Sequence, residues 1–332
     1  MIKISPIPNT DINVFSQILN LGFNAVRFNF SHIKRSDAQE YYEYIKNNHP
    51  GVKIIQDLQG HKIRIGKLKK ETVVKKYTKF IICNNGFQSN KYMDLIHIPL
   101  HFENYELLDG TYRFILENKE SLSIISVLEK IEEENEFAFL CIADSEVVFR
   151  AEKGITAIGF DRNKLKLSLK DKEDIQWGIA NQADIIIYSF TSNAAQILEL
   201  KQYIKSFGDY MPQIWAKIES SEGVENIEEI LDVCDGIMIG RGDMCVEIPL
   251  FKIPQIHDEL ISACKNKNKE CIIATHLFEN YKKKRTPDIS DVMAIHYFNK
   301  LGATGYMLAN ELMFCGYATK LAKSFIETVD KV

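Results

Sequence analysis

Short runs of apolar residues alternate with segments of helical period along most of the chain. The runs are rich in Val, Ile and Phe and too short for helices, which is typical of strands buried in a parallel sheet. Eight runs have this character: Ile2–Ser5, Ala25–Ser31, Lys53–Leu58, Asp184–Phe190, Gln213–Glu219, Gly236–Gly240, Cys271–Thr275 and Gly305–Ala309. Helical periodicity predicts helices at Asp11–Leu21, Ser36–Asn48, Lys172–Gln182, Ser192–Ser206, Ser221–Cys234, Pro254–Asn268, Ile289–Leu301 and Leu312–Thr328. Eight strands that alternate with helices predict the α/β class and a (β/α)8 TIM barrel.

A long β-like segment interrupts this alternation after the third strand. Residues 66–165 contain short runs such as YTKFIICNN and FAFLCIA, with turn signals such as Asn84-Asn85-Gly86 between them. We therefore expect a small β domain inserted after the third strand, and a barrel formed by residues 1–65 and 166–332. Insertions at the carboxyl ends of barrel strands often act as lids. Two interpretations therefore remain: the insertion acts as a lid over the site, or it has no part in the site.

Composition and charge argue against several classes of protein. With 332 residues, a formal net charge of −4 and a pI near 6.1, the chain has no excess of basic residues for nucleic-acid binding. Its seven cysteines have no paired spacing, which indicates reduced thiols rather than a disulfide framework or a zinc site. No window has the length of a membrane span, and the amino terminus lacks the apolar segment of a signal peptide. We expect a cytoplasmic protein that binds neither nucleic acid nor membranes.

The polar residues at the ends of two predicted strands have the character of a metal site. Lys217 and Glu219 end one strand, and Arg241 and Asp243 follow the next, one βα unit later. The carboxyl ends of parallel strands meet at one end of a barrel, so two carboxylates and a lysine can converge there. Two carboxylates suit Mg²⁺ or Mn²⁺, and the lysine suits a substrate that carries phosphate. The alternative is a salt bridge on the surface.

The other predicted strands also carry polar residues at their carboxyl ends. In the second strand Arg27, Asn29 and Ser31 alternate with apolar residues, so the three polar side chains share one face. Further polar residues follow the remaining strands: Asp57, Lys62, Arg64, Ser189, Thr275, His276, Asn310 and Glu311. Barrel enzymes hold their chemistry at this end of the strands, so we expect the active site there.

The segments around these positions resemble successive motifs of the pyruvate kinase family. Six segments match in order: NLGFNAVRFNFSH, DLQGHKIRIG, AKIESSEGVENIEEI, DGIMIGRGDMCVEIP, IIATHLFENYKKKRTP with the SDV that follows it, and GYMLANE. The resemblance covers nearly all of residues 20–330 and includes the lid-like β domain, where the match is weaker. It implies a pyruvate-kinase-like chain without the family's separate C-terminal regulatory domain.

The resemblance implies roles for the residues that would handle phosphoenolpyruvate. Glu219 and Asp243 would bind the divalent cation, Mg²⁺ or Mn²⁺. Lys217 would stabilise the phosphoryl group during transfer, and Arg27 would contact the substrate phosphate. Substrate binding is implied for Arg27, Lys217, Thr275 and the backbone at Gly242 and Asp243, and catalysis for Arg27, Lys217, Thr275 and Glu311. Thr275 and Glu311 match the positions on the proton-transfer side.

A second group of residues would bind a monovalent cation and a nucleotide. By the same resemblance, Asn29, Ser31 and Asp57 would ligate K⁺, and Arg64 and Asn29 would face the phosphates of ADP or ATP. The departures from the family cluster in this half. Leu58 stands where the family has a cation-binding threonine, and Phe314 stands where it has a lysine near the nucleotide. The phosphate-binding loop after the first strand is replaced by ISPIPNT. We therefore expect metal-dependent binding of phosphoenolpyruvate and weak binding of ADP.

Three functions fit this pattern. The first is a metal-dependent phosphotransferase that acts on phosphoenolpyruvate or pyruvate. The second is a lyase or aldolase that adds a pyruvate enolate to a carbon electrophile on the same scaffold. The third is a noncatalytic protein that binds phosphoenolpyruvate. The sequence is also compatible with a homo-oligomer and does not decide the oligomeric state.

Overall fold

The structure is a computed structural model that describes residues 1–7, 11–87, 89–117, 122–133, 136–308 and 316–332. These residues form two compact units, one made of Met1–Gly60 and Leu167–Val332 and the other of His61–Lys166. The second unit begins at His61, ahead of the boundary at residue 66 that the sequence predicts. The reason is local pairing, because the short strand Arg64–Ile65 pairs with His101 and Leu100 inside the second unit.

The described strands close one parallel barrel and form two further sheets. In chain order they are β1 (Ile2–Pro6), β2 (Ala25–Asn29), β3 (Lys53–Asp57), β4 (Arg64–Ile65), β5 (Thr72–Val74), β6 (Lys79–Cys83), β7 (His97–His101), β8 (Arg113–Glu117), β9 (Leu122–Glu133), β10 (Glu136–Ala143), β11 (Val147–Phe149), β12 (Thr156–Ile158), β13 (Ile185–Tyr188), β14 (Gln213–Ile218), β15 (Gly236–Gly240), β16 (Glu270–Ala274) and β17 (Gly305–Met307). The barrel runs β1-β17-β16-β15-β14-β13-β3-β2 and all its pairs are parallel. The predicted (β/α)8 barrel is confirmed.

Helices connect the barrel strands. They are α1 (Ile12–Leu19), α2 (Arg35–Asn48), α3 (Leu169–Ala180), α4 (Ala194–Lys205), α5 (Ser221–Glu225), α6 (Ile227–Val233), α7 (Arg241–Glu247), α8 (Ile253–Asn266), α9 (Tyr281–Lys284), α10 (Ile289–Leu301) and α11 (Ala318–Lys331). The helix predicted at Ser221–Cys234 is two helices separated at Asn226, whose side chain donates to Ser192 O at 2.8 Å. The helix predicted at Leu312–Thr328 is described only from residue 316 onward, and there α11 begins at Ala318. In the described part of the chain, no helix is long and apolar enough to cross a membrane.

Two layers of apolar residues hold the barrel together. Alternate strand residues point inward and form a cluster drawn from strands alone: Ile4, Ala25, Ile55, Ile185, Ile187, Trp215, Met238, Ile272, Ala274 and Met307. The residues between them, such as Val26, Phe28 and Ile186, belong to the larger cluster that includes the helices. The strands are therefore buried on both faces, which explains their continuous apolar runs.

The second unit is a β domain with its own core. One sheet has the order β12-β8-β9-β10-β6-β7-β4, and β5 and β11 form a separate pair. All described pairs in it are antiparallel except β6 with β7. Its apolar cluster includes Phe80, Phe114, Phe139 and Phe149, none of which is more than slightly exposed. This unit therefore buries an apolar core without using residues of the barrel.

Candidate active site

Charged and polar side chains occupy the inward-facing positions at the carboxyl ends of four barrel strands. The positions that continue the inward register of β2, β3, β13 and β14 are Arg27, Asp57, Ser189, Lys217 and Glu219. Backbone pairing sets Asp57 opposite both Asn29 and Ile187, so these strand ends lie side by side. The strand register thus brings polar groups from distant parts of the sequence to one end of the barrel.

Asp57 is the centre of a buried hydrogen-bond network. Its Oδ2 accepts a hydrogen bond from Arg27 Nε at 2.6 Å and lies 2.5 Å from Arg27 Nη2. Its Oδ1 accepts a hydrogen bond from Ser189 Oγ at 2.9 Å. Burial acts to raise the pKa of Asp57, but the charges of Arg27 and Lys217 and the bonds from Ser189 and Arg27 outweigh it and lower the pKa. Asp57 is therefore ionised and holds Arg27 in place.

Lys217 lies between two carboxylates. Its Nζ is 2.9 Å from Glu219 Oε1 and 3.8 Å from Asp57 Oδ2. Burial acts to lower the pKa of Lys217, but the charges of Asp57 and Glu219 outweigh it and raise the pKa, so the ammonium group stays protonated. Only 13% of the Lys217 side chain and 2% of the Glu219 side chain are exposed. The alternative of a surface salt bridge is therefore wrong.

The backbone around Glu219 is shaped to receive its carboxylate. Phe190 N–H donates to Glu219 Oε2 at 3.1 Å, and Phe190 has a left-handed backbone with a φ of 56°. Gly240, at the end of β15, lies beneath the same side chain, and a Cβ at this position would come within 2.6 Å of Glu219 Cγ. A residue with a side chain at Gly240 would displace the carboxylate.

Asp243 supplies the second carboxylate of the predicted metal pair. It lies in the first turn of α7, which begins directly after β15, where a negative charge favours the helix. Burial first, and then the negative charge of Asp243, raise the pKa of Glu219 against the opposing effect of Lys217. A divalent cation would relieve this repulsion between carboxylates, so the pair fits Mg²⁺ or Mn²⁺. Among the described residues, no group of three or more His, Cys, Asp or Glu side chains is arranged to hold a metal ion.

Thr275 faces the start of α7 from the neighbouring strand. Gly242 N–H donates to Thr275 Oγ1 at 3.1 Å, and this hydroxyl donates to Ala274 O at 2.6 Å. Thr275 and His276 have left-handed backbones with φ values of 64° and 50°. A β-branched residue avoids this region, and such a conformation costs about 1–3 kcal/mol. Strain of this kind at the end of β16 is typical of a functional loop.

Arg241, the first residue of α7, donates to the backbone of the same loop. Its Nε donates to Ala274 O at 3.1 Å, and its Nη2 donates to Thr275 O. Burial lowers the pKa of Arg241 to about 10, which leaves the guanidinium charged at neutral pH. The charged group therefore binds neutral carbonyl oxygens.

The residues predicted for a monovalent cation lie at the ends of two adjacent strands. Asn29 Oδ1 accepts a hydrogen bond from Ser31 N–H at 3.2 Å, and Asn29 pairs with Asp57 across β2 and β3. Leu58 has a hydrocarbon side chain with no oxygen to bind a cation, and it is buried in the apolar cluster between strands and helices. The structure brings the three predicted ligand residues, Asn29, Ser31 and Asp57, into one neighbourhood.

Comparison with known proteins places the chain in a family. Residues 3–320 match the family described as pyruvate kinase, barrel domain. The chain belongs to the pyruvate kinase family. It is similar to pyruvate kinases of Lactobacillus delbrueckii subsp. bulgaricus (27% identity over 312 residues), Mycoplasma pneumoniae (28% over 315) and Agrobacterium vitis (29% over 321).

The match spans most of this chain but only part of each relative. The alignments cover 91%, 89% and 93% of the chain, and 51%, 58% and 64% of the three relatives, in the same order. The chain thus spans about half the length of the first relatives. The family resemblance that the six motifs predict is confirmed.

Two of the predicted pyruvate kinase site residues are not among those assembled at the strand ends. Arg64 belongs to the second unit, where its Nη1 donates to Glu152 O at 2.9 Å. Glu311 lies outside the described residues, as do Phe314 and residues 8–10 of the altered first loop. Arg27, Lys217, Glu219, Gly242, Asp243 and Thr275 all lie at the carboxyl ends of the barrel strands.

Sequence reasoning missed three contributions to the site. Ser189 was noted at the end of a strand but not as the donor to Asp57. Gly240 ends an apolar strand and precedes a charged residue. A glycine in this position indicates that another group packs closely against the backbone, and this signal could have been used. Phe190 contributes only its N–H, and a backbone donor leaves no signal in the sequence.

Proposed function

We propose that the chain is a pyruvate-kinase-like phosphotransferase that acts on phosphoenolpyruvate or pyruvate with a divalent cation. The observation that carries the proposal is the buried row Arg27, Asp57, Lys217 and Glu219 at the carboxyl ends of β2, β3 and β14. Two cationic groups are held there by two carboxylates, with little exposure to water. Such fixed charges stabilise charge that develops in a reaction without reorganisation of solvent.

Arg27 and Lys217 would handle the phosphoryl group. Both side chains are positively charged, and both are fixed by Asp57, which binds Arg27 at 2.6 Å and lies 3.8 Å from Lys217 Nζ. Phosphoryl transfer depends mainly on positioning and on neutralisation of negative charge. Lys217 would act on the group in transfer, and Arg27 would bind the phosphate of the substrate.

Glu219 and Asp243 would hold Mg²⁺ or Mn²⁺. When bound, the cation would supply Lewis-acid stabilisation of an enolate and its carboxylate. Asn29, Ser31 and Asp57 would take K⁺. Glu219 is kept in place by Phe190 N–H and by the space over Gly240, so the protein has fixed this ligand before a cation arrives.

Gly242 and Thr275 would form the other side of the substrate site. Gly242 and Asp243 lie in the first turn of α7, where N–H groups favour an anionic carboxylate, and the Gly242 N–H would be shared with the Thr275 hydroxyl. Thr275, fixed by its bond to Gly242 N–H, would lie on the side where the enolate gains a proton, with Glu311 as the relay. Removal of the phosphoryl group leaves an enolate, and protonation of its methylene carbon gives pyruvate.

Calorimetry with phosphoenolpyruvate tests this proposal. We expect binding in the presence of Mg²⁺, loss of binding after EDTA treatment, and no recovery of binding on addition of Mg²⁺ in Glu219→Gln. The matched control is Glu43→Gln, because Glu43 is exposed on α2 and bonds to Gln39. Equal binding of phosphoenolpyruvate to the unaltered protein with and without Mg²⁺ would contradict the proposal.

Measurement of ADP binding tests whether a nucleotide is the phosphoryl acceptor. The altered first loop and Phe314 predict that ADP binds much more weakly than phosphoenolpyruvate. Tight ADP binding without any affinity for phosphoenolpyruvate would overturn both the substrate assignment and this expectation. Phosphoenolpyruvate binding with no turnover on any acceptor would favour the noncatalytic alternative, and condensation of pyruvate with an aldehyde would favour the lyase.

A further inference from the structure

The loop after β16 is held in an unfavourable conformation by a residue that has no assigned role. Thr275 and His276 both have positive φ values, and the Thr275 hydroxyl meets Gly242 N–H at 3.1 Å. An unrestrained Thr leaves this region of backbone space. Some interaction must therefore fix the backbone on both sides of Thr275.

Arg241 provides that interaction. Its guanidinium donates to the carbonyl oxygens of two successive residues, Ala274 at 3.1 Å and Thr275. The side chain is 7% exposed and its Cζ lies 5.4 Å from the centre of the Phe298 ring on α10. The hydrogen bonds of the guanidinium thus go to backbone carbonyl oxygens, and the negative charge of Glu279 also acts on it.

The position of Arg241 links two sides of the site. It immediately precedes Gly242 and Asp243 in α7, and its side chain reaches across to the end of β16. Gly242 N–H then returns a hydrogen bond to the Thr275 hydroxyl. The planar fork of an arginine can bind two carbonyls at once, whereas a lysine presents a single point of charge.

We propose that Arg241 is a positioning residue that holds Thr275 against Gly242 N–H and so sets the geometry on the proton-transfer side of the site. This inference rests on the proposed function for its effect on turnover. Its structural part, the coupling of Arg241 to the Gly242–Thr275 bond, does not depend on any activity.

Hydrogen exchange tests the structural part. We expect the amide of Gly242 to exchange about tenfold faster or more in Arg241→Lys than in the unaltered protein, because the loop no longer holds the Thr275 hydroxyl in place. Thr275→Ala should give a similar increase. The matched control is Arg162→Lys in the second unit, because Arg162 is also buried, donates to Ala157 O at 3.1 Å and lies over the Phe160 ring.

Kinetics test the functional part by a double-mutant cycle. We expect Arg241→Lys to lower kcat about tenfold or more with little change in KM for phosphoenolpyruvate. In the Thr275→Ala background the same change should lower kcat less than about threefold, because the side chain that Arg241 positions is already gone. Exchange of the pyruvate methyl protons with solvent should show the same pattern.

The outcomes separate the two claims. Unchanged exchange at Gly242 in Arg241→Lys, losses of kcat that multiply in the double variant, or failure of Arg241→Lys to fold would each overturn the positioning role. A wild-type protein without turnover would instead contradict the proposed function. Faster exchange at Gly242 would still support the link from Arg241 to Thr275 in that case.

Discussion

Under the proposed function, Lys217 is the residue that would stabilise the phosphoryl group during transfer. It is the one lysine among the described residues whose Nζ lies within 4 Å of both Asp57 and Glu219. A neutral side chain there would leave the buried Glu219 carboxylate without its cation, which costs about 3–5 kcal/mol when a buried pair is broken, whereas Asp57 would keep Arg27. Bound metal would offset part of this loss, because it also neutralises Glu219.

We expect Lys217→Met to abolish turnover and to retain metal binding. Under the proposed function the lysine would act on the transferring group, so its loss would remove an interaction made during the reaction rather than the cation site. The measurement is steady-state turnover together with Mn²⁺ binding. Lys267→Met is the control, because Lys267 also pairs with two carboxylates, Glu228 and Asp232, but on the outer helices. Full turnover in Lys217→Met would contradict the role given to Lys217.

We expect Gly240→Ala to weaken metal binding by about tenfold or more, because a Cβ there would meet Glu219 Cγ at 2.6 Å and displace the carboxylate. Mn²⁺ affinity measures this effect. Gly51→Ala is the matched control, since a Cβ at Gly51 has no heavy atom within 4 Å. Equal metal affinity in the two variants would show that Gly240 does not shape the site.

At the scale of elements, the strands were more predictable than the short helices at the site. Continuous runs of Val, Ile and Phe identify strands buried on both faces, and each of the eight barrel strands overlaps its prediction. Arg241 and Asp243 were predicted only as residues that follow a strand, yet together with Gly242 they form the first turn of α7. The left-handed conformation at Phe190 and Thr275 depends on partners far along the chain, which local propensity does not contain.

The helix α8 carries a buried histidine that makes stability depend on pH. His257 packs against Phe298, and burial first, then the charge of Arg241, lower its pKa from 6.5 to about 4. In the unfolded chain His257 regains its ordinary pKa, so between these values the unfolded state binds more protons. The contribution of neutral His257 is complete above pH 6.5 and is lost as the pH falls towards 4.

We therefore expect stability to fall in that window by up to about 3 kcal/mol through His257 alone. In His257→Phe this part of the pH dependence should disappear. Urea unfolding at pH values above and below 6.5 measures it. His296→Gln serves as a control, because His296 is exposed on α10, and should leave the slope unchanged. An identical slope in His257→Phe and the unaltered protein would show that His257 does not produce the effect.

At the scale of the whole molecule, the sequence predicted the barrel and the β insertion but not how the insertion is paired. Alternating runs locate strands, whereas pairing depends on contacts between distant residues. The parallel pair of β6 with β7 inside an otherwise antiparallel sheet is an example. For the site, strand register explains why Arg27, Asp57 and Lys217 meet, and that register follows from the alternation of inward and outward side chains.

Phosphorus NMR of the protein with phosphoenolpyruvate, Mg²⁺ and K⁺, with and without ADP, tests whether this site transfers the phosphoryl group. It follows each phosphate species and assumes no acceptor. We expect phosphoenolpyruvate to be consumed only when Mg²⁺ is present, ATP to form when ADP is supplied in excess, and Lys217→Met to be inactive. A phosphoenolpyruvate signal that stays constant in the unaltered protein, with and without ADP, would contradict the claim that this site transfers the phosphoryl group.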